Sequence, residues 1–570
     1  MTLADTSSRL RDFVDQIEIQ IGDPSEQTSD YEWIVKHCRI NGRPYSSKNH
    51  EYQEVLLRDT TRKIRVKKCA QIGVSVVSIL RCFAKLGRYR GFTILYILPS
   101  ATFSQSFNAT RITPLLQECK PLRDIQDRSV DSTSVKKFGA NNFLHNKGAV
   151  SKAAAISVDA DYLVKDEVDF MTDQTVLTSF SSRLLHSPYK FEAEFSTPTI
   201  PDFGISKSYK ESRRYVHLAK CVHCGFWFQP QFSMVVYPGV GKGLELKEIT
   251  KHILMQHDVR AAYLECPHCG LPTDESLQHQ HREFVIENPD ENFPEVGYHI
   301  QPFSVPNIQP VPNILTERPN YARWVDFSNN VLGEDDADAA DSLTRAEILS
   351  LFDATVPETD DRMGFLGVDA GLFFHYAVMK ESSDGVIYVP DYGTIPLPSI
   401  EKEALQVRQR HRARVTAMDL YPYVDTVLRL QQSDPLLWGC EFTESRGIDL
   451  ISLKVQDEES EKATEKMQIV KVRRDRVFDV LLDLARAGKL RIRPNQHQDS
   501  MVEHILSVKR LSIFDRDEGR MRYKWVKTDG KDHFFFALLY SFVAFRLREV
   551  AGAEMSVRLP FLVSSFKVKN

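Results

Sequence analysis

Asp166 and Glu167 stand side by side at the end of an apolar run, Asp161-Tyr-Leu-Val-Lys-Asp166-Glu167-Val-Asp169. Two adjacent acids at the tip of a strand suit the hydrolysis of a nucleoside triphosphate. One carboxylate holds the hydration shell of a magnesium ion, and the second polarises the attacking water. Such pairs also occur on solvated helix faces, so the upstream context matters. There, Lys63-Ile-Arg-Val-Lys-Lys68 alternates at period two, Gln71-Ile-Gly-Val-Ser75 is a turn, and Val76–Leu86 supports an apolar helix. A glycine turn between strand and helix aims backbone N–H groups and the helix dipole at an anion. The loop departs from the usual GxxxxGK[ST], because Val74 stands where the lysine belongs. Ser75 remains placed to reach magnesium, and Lys68 supplies a cation from the loop's other end. The competing reading is a Gly73 that serves only a left-handed backbone.

Cys221-Val-His-Cys224-Gly and Cys266-Pro-His-Cys269-Gly repeat one knuckle. Two such turns bring four thiolates to a single tetrahedral ion. Zinc suits them, in a structural role, since four sulfurs leave no open coordination position. A redox CxxC and free buried thiols are the alternatives. His223 and His268 lie inside the turns and are not expected as ligands. In the C-terminal half, Asp369 closes Phe365-Leu-Gly-Val, Asp419 closes Val415-Thr-Ala-Met418, and Asp532 precedes the helical segment His533–Tyr540. Three acids at two strand ends and a helix start are what an RNase H-like nuclease needs. They converge on two magnesium (or manganese) ions, one activating water and one stabilising the leaving oxygen. Any one of them alone reads as a turn cap. Asp425 and Asp529 are neighbouring substitutes. Lys531 and His533 read either as assistants to the metal site or as surface groups.

These residues need scaffolds. Strands alternate with helices: Phe92–Leu98 ends at Pro99, Ala153–Val164 leads into the acid pair, and Phe191–Phe195 ends at Ser196-Thr-Pro198. That order predicts an α/β chain with a parallel sheet and ligands at the strand C-termini. A cysteine-bearing insertion spans roughly 215–280. The acidic stretch Gly333–Asp341 reads as a loop or linker before a second α/β unit that opens with Met363–Asp369. The expected division is an N-terminal segment 1–44, an ATPase domain 45–335, a linker 336–355, a nuclease domain 356–550 and a tail 551–570. At 570 residues, more than one domain is required. A net charge of -4 gives no global signal for nucleic acid, so any DNA contact must be local. Basic runs at Lys471–Arg476 and Lys509–Arg522 are candidates, with solvated faces as the alternative. The apolar run Phe534–Phe545 is too short to span a bilayer, and Met1–Asp15 lacks the core of a secretion signal.

The ordered set resembles the lambda-type phage terminase large subunits, the ATP-driven motors that package viral DNA. Lys68-x-Ala-Gln-x-Gly-x-Ser75 is similar to that family's displaced-lysine Walker A, and Asp166-Glu167 to its Walker B. Tyr52-Gln53 resembles the adenine-contacting element. Leu95–Pro99 and Phe107-x-x-x-Arg111 resemble the next block. Ser196-Thr197-Pro198 resembles the motif that senses the γ-phosphate and couples hydrolysis to DNA movement. Asp419-x-x-Pro422-x-x-Asp425 and Trp525-x-Lys527-x-x-Gly530-x-Asp532-His533 resemble the nuclease motifs.

The resemblance implies a P-loop (RecA/ASCE-like) ATPase with a zinc-ribbon-like insertion and an RNase H-like nuclease domain. ATP would be bound by Tyr52, Gln53, Lys68, Gln71, Gly73, Val74, Ser75, Asp166, Ser196 and Thr197. It further implies double-stranded DNA, a portal protein and a small terminase subunit as partners. The setting would be a homo-oligomeric ring on the procapsid in the host cytoplasm, with no membrane and no place in the mature virion. Arg111 and Arg183 are candidate γ-phosphate arginines, with surface pairing as the alternative. One competing function is a helicase-nuclease of recombination or repair, which needs a second RecA-like lobe. Another is a non-catalytic packaging adaptor with a decayed ATPase, favoured by Val74.

Overall fold

The computed structural model describes residues 29–149, 155, 158–171, 174–336, 342–443, 451–455, 467–515, 520–528 and 531–562. The chain divides into two compact units, Met1–Ala337 and Asp338–Asn570.

In the first unit, seven strands position the site: β1 Lys63–Lys68, β2 Thr93–Leu98, β3 Asn142–Gly148, β4 Tyr162–Asp166, β5 Phe191–Ser196, β6 Arg213–Lys220 and β7 Val296–Ile300. They run parallel in the order β6-β7-β1-β5-β4-β2-β3. Antiparallel strands flank both edges, completing an eleven-stranded sheet. β2 and β4 are buried along almost their whole length, as strands covered on both faces must be. Because β5 lies between β1 and β4, its tip sits between the phosphate-loop strand and the acid-pair strand. Helix α1, Val74–Arg88, follows the loop directly. Its last-turn cations Lys85 and Arg88 complement the carbonyl end of the helix and pair with buried Asp30 at 3.0 and 2.5 Å. Helix α2, Gly204–Lys210, follows β5.

The knuckle insertion leaves the end of β6 and returns as Arg282–Ile286, which pairs antiparallel with β6 itself. It has its own apolar cluster, including Phe228, Phe232, Val235, Leu246 and Leu264. The acidic stretch starts as a fastener rather than a free linker. Glu334 and Asp335 both pair with Lys67 of β1. Gly333 (φ +71°) lies so close to Cys69 that a Cβ there would meet the Cys69 nitrogen at 2.6 Å.

The second unit holds β8 Gly364–Asp369, β9 Phe373–Glu381, β10 Ile387–Pro396, β11 Ala413–Asp419 and β12 Leu437–Phe442. Their spatial order is β10-β9-β8-β11-β12, with the first three antiparallel and β8-β11-β12 parallel. This third-second-first-fourth-fifth order is RNase H-like. Helix α3, Arg345–Ser350, lies in the segment expected as linker, and it buries Ile348 in this unit's core. Helix α4, His533–Leu562, crosses the sheet and extends into the residues set apart as a tail. A Cβ on Gly367 of β8 would stand 1.9 Å from the Ser541 nitrogen, so only glycine lets helix and strand backbones meet there. Among the described residues, no helix is long and apolar enough to cross a membrane.

Candidate functional sites

The loop after β1 folds as a phosphate cradle should. Gln71 and Gly73 both take left-handed backbone, at φ 61° and 90°, and Gly73 caps α1 with its carbonyl toward Val76 and Val77. Val74 is buried and packs into the core, so the side chain at the vacant lysine position is a wall and not a ligand. Tyr52 and Gln53 are buried beneath the loop. The Tyr52 hydroxyl donates to the Ile72 carbonyl, and Gln53 accepts from Tyr45 at 2.9 Å. Both therefore shape the loop from behind.

Lys68 supplies the missing cation. Its buried Nζ lies 3.1 Å from Glu167 Oε1 and 3.3 Å from Thr197 Oγ1. Burial alone would pull the Lys68 pKa down, but the charges of Glu167 and Asp166 more than reverse this and hold it above its ordinary value. Glu167 sits in left-handed backbone at φ 61°, with its N–H bonded to the Phe195 carbonyl at 2.7 Å. That turn aims its carboxylate at the tip of β5, where Thr197 N–H and Ser196 Oγ donate to Oε2 at 3.4 and 3.5 Å.

Asp166 is fully buried, and burial followed by the neighbouring Glu167 charge raises its pKa to about 6. Ser75 is close enough to hydrogen-bond this carboxyl and oppose the rise. Tyr96 donates to Oδ2 at 2.6 Å, while Oδ1 is a buried oxygen without a hydrogen-bond partner among the described residues. An unsatisfied carboxylate oxygen beside a helix-start hydroxyl fits a magnesium hydration shell. Arg111 is exposed, and Arg183 bonds its neighbour Ser182 at 3.0 Å, so neither joins the Lys68–Glu167 group here.

The four cysteines converge. Cys221 and Cys269 sulfurs are 3.8 Å apart, as are those of Cys224 and Cys266, and all four lie within 4.8 Å of one another. A tetrahedron of sulfurs at about 2.3 Å from an ion has edges of about 3.8 Å. Gly225 and Gly270, just past each knuckle, adopt φ 75° and 72°, as the tight turns demand.

In the second unit, Asp369 and Asp419 end the adjacent parallel strands β8 and β11, whose last paired residues are Val368 and Met418. Asp532 sits at the start of α4, its carbonyl accepting from Phe536 N–H at 3.0 Å. The Asp369 pKa is raised to about 6, chiefly by burial, with the His533 hydrogen bond opposing and the Asp532 charge adding. Burial and then the charge of Asp369 raise that of Asp419 to about 7. Burial also raises Asp532, against the pull of Lys527 at 3.6 Å. The three acids thus share one electrostatic neighbourhood. Asp425 is exposed in the first turn of Val424–Ser433, and Asp529 lies outside the described residues.

Residues 38–286 match the family model described as phage terminase large subunit gpA, ATPase domain. Over these residues the chain is similar to a terminase large-subunit ATPase domain. Among solved structures, the HK97 bacteriophage large terminase aligns at a TM-score of 0.49 and 10% identity, over 90% of this chain and 98% of that one. The large terminase of a thermophilic bacteriophage in complex with ADP aligns at 0.32 and 12% identity, over 87% and 98%. The zinc-bound large terminase nuclease of thermophilic phage G20c aligns at 0.19 and 8% identity, over 32% and 81%. No curated protein matches by sequence.

Two buried groups beside the acid pair had no individual role assigned from sequence: Tyr96, within the block Leu95–Pro99, and Asp169. Tyr96 interrupts an otherwise aliphatic strand, and a polar tip in a buried strand was the available signal. Its hydroxyl bridges Asp166 and Ser78, the latter at 3.1 Å. Asp169 is wholly buried: Oδ2 accepts from Thr199 N–H at 2.9 Å and Oγ1 at 2.7 Å, and Oδ1 accepts from Ile205 N–H at 2.7 Å. It ties the acid-pair turn to the segment after β5 and to the start of α2. Nothing in its spacing announced this.

Proposed function

We propose that the chain is the large subunit of a viral DNA-packaging motor. Its first unit hydrolyses ATP to drive double-stranded DNA into a procapsid, and its second unit cuts concatemeric DNA. The observation that carries the reading is the convergence of Lys68, Ser75, Asp166, Glu167 and Thr197 in a domain that matches the terminase ATPase family. In this reading Lys68 and the loop N–H groups grip the phosphates. Ser75 and Asp166 hold the magnesium shell. Glu167 orients and activates water, and Ser196-Thr197 report the state of Glu167 to the rest of the sheet. A magnesium ion, when bound, neutralises charge that develops on the transferring phosphoryl group. Asp369, Asp419 and Asp532 would hold magnesium or manganese for phosphodiester cleavage, and the four cysteines would hold a structural zinc. Partners would be a portal protein, a small recognition subunit and further copies in a ring, in the host cytoplasm.

Against the adaptor alternative, which rests on Val74, stands the position of Lys68 beside Glu167 and Thr197. The test pairs two variants of the purified full chain. Glu167→Gln should abolish DNA-stimulated ATP hydrolysis, by at least about a hundredfold, while metal-dependent plasmid cutting persists. Asp419→Asn should do the reverse. Hydrolysis that survives the first change would sink the motor reading, and cutting that survives the second would sink the nuclease reading.

A further inference from the structure

The donor atoms packed most tightly at the strand ends of the second unit are not three aspartates. Asp369, His375 and His533 each offer a ligand atom within 4.8 Å of the other two. Asp369 and His375 are direct cross-strand partners on β8 and β9. His533 is the first residue of α4, and its Nδ1 lies 2.8 Å from Asp369 Oδ2. The two imidazoles stack, with centroids 4.7 Å apart and planes 15° from parallel. We propose that Asp369, His375 and His533 form a mixed carboxylate–imidazole site that binds manganese in preference to magnesium.

A third donor, His375, sets the group apart from a simple ion pair. Ligands at right angles, each about 2.1 Å from a metal, lie about 3 Å apart. The Asp369–His533 separation of 2.8 Å is that of a hydrogen bond and is also short enough for both atoms to share one ion. A bare ion pair accounts for Asp369 and His533 but gives no reason for a second, half-buried imidazole stacked on the first. His375 is also pre-oriented. Its Nδ1–H donates to the Phe373 carbonyl at 3.2 Å, which fixes the tautomer and leaves the Nε2 lone pair available. A third imidazole, His504, packs behind both, at 5.8 Å from His375 and 6.0 Å from His533. The Phe534 N–H donates to His504 Nδ1 at 3.1 Å, which anchors that ring to the start of α4.

The metal preference follows from the donor set. Magnesium takes oxygen ligands and keeps much of its water, whereas imidazole nitrogen suits transition ions; manganese is the weakest of these for nitrogen but accepts an imidazole more readily than magnesium does. Among the three aspartates assigned to cutting, Asp369 is the one that belongs to both sets. The function of the site rests on the nuclease reading, but the binding does not.

The test uses the full, zinc-loaded chain without nucleotide. Manganese is titrated while the electron-spin signal of the free ion is followed, then displaced with magnesium. Wild type should bind manganese at least about tenfold more tightly than magnesium. Electron-spin-echo spectra of the bound ion should show coupling to imidazole nitrogen. His375→Gln and His533→Asn should each weaken manganese binding about tenfold or more, with magnesium binding changed less than about twofold. Absence of nitrogen coupling in the wild-type protein overturns the proposal without reliance on any variant, and so does unchanged manganese affinity in both variants. Plasmid cutting is scored separately. Nitrogen-coupled manganese in a protein that never cuts DNA would leave this site standing and remove the nuclease reading. Cutting that persists without nitrogen coupling would do the opposite.

Discussion

The two centres balance their acids by different means. In the first unit, the acids meet a cation that the chain itself supplies: Lys68 lies 3.1 Å from Glu167 and keeps its proton despite full burial. In the second unit, Asp369 meets His533 at 2.8 Å, yet burial leaves Asp369 and Asp419 holding protons more tightly than ordinary carboxylates, as it leaves Asp166 in the first. Lys527 stands 3.6 Å from Asp532. One site is neutralised in advance and waits for an anionic ligand. The other pairs Asp369 with an imidazole and Asp532 with a single lysine, an arrangement that suits added cations. A phosphate-gripping site has to be the first kind and a metal-loading site the second.

The sharpest way to break that contrast is to remove the built-in cation. Lys68→Ala leaves Glu167 and Asp166 together with no positive partner, so a triphosphate would meet two carboxylates. ATP hydrolysis should fall by at least about a hundredfold. Lys68→Arg should not restore it, because a planar guanidinium does not fit a cavity shaped for a point charge between Glu167 and Thr197. Plasmid cutting should be untouched. Hydrolysis within tenfold of wild type in Lys68→Ala would show that the displaced lysine is structural.

A smaller effect tests the other side. With manganese at about a hundred times its dissociation constant, the second unit should gain about 2.7 kcal/mol of stability. Calorimetry should show the transition assigned to that unit shifting upward, and EDTA should reverse the shift. The first unit, without nucleotide, should barely respond. Asp419→Asn should melt higher than wild type in EDTA, because it removes a buried carboxyl from a crowded acidic group, and should shift less on adding metal. Equal metal shifts in both units would erase the distinction between the two centres.

The contrast also separates what the sequence exposed from what it hid. Groups fixed by short-range spacing were readable: Gly73 two residues before Ser75, Asp166 beside Glu167, and the paired CxxC turns. So were the strand-end aspartates, because an apolar run that stops at an acid marks a sheet edge. The RNase H-like fold was expected from those acids and from the family resemblance, whereas the strand order was not. Contacts set by strand register were not readable, although His375–Val378 could be read as the hairpin partner of the strand that ends at Asp369. His375 becomes a neighbour of Asp369 only through β8–β9 register. Likewise, Tyr96 meets Asp166 because β2 and β4 run side by side. The acidic stretch looked like a linker because its charges repel along the sequence. In the fold, Glu334 and Asp335 are attracted to Lys67, a residue far away along the chain.

The finest test concerns Asp169, a carboxyl that neither a cation of the chain nor an added metal serves. It accepts three hydrogen bonds, yet full burial outweighs them and raises its pKa to about 7. The unfolded chain would release this proton near about pH 3.9. The folded state therefore holds a proton that the unfolded state has lost between about pH 4 and pH 7. Over that window the group's contribution to stability is greatest at the acid end and declines as pH rises. Asp169→Asn has no such proton, so the stability of wild type relative to the variant should fall steadily from about pH 4 to 7 and then level off. Denaturant melts of the two proteins across that range give the measurement. A difference independent of pH would mean that the three donors keep Asp169 ionised throughout. The first unit would then neutralise this acid as completely as it neutralises Glu167. Manganese should leave the slope unchanged, since Asp169 Oδ1 and Oδ2 are already occupied by Ile205 and Thr199.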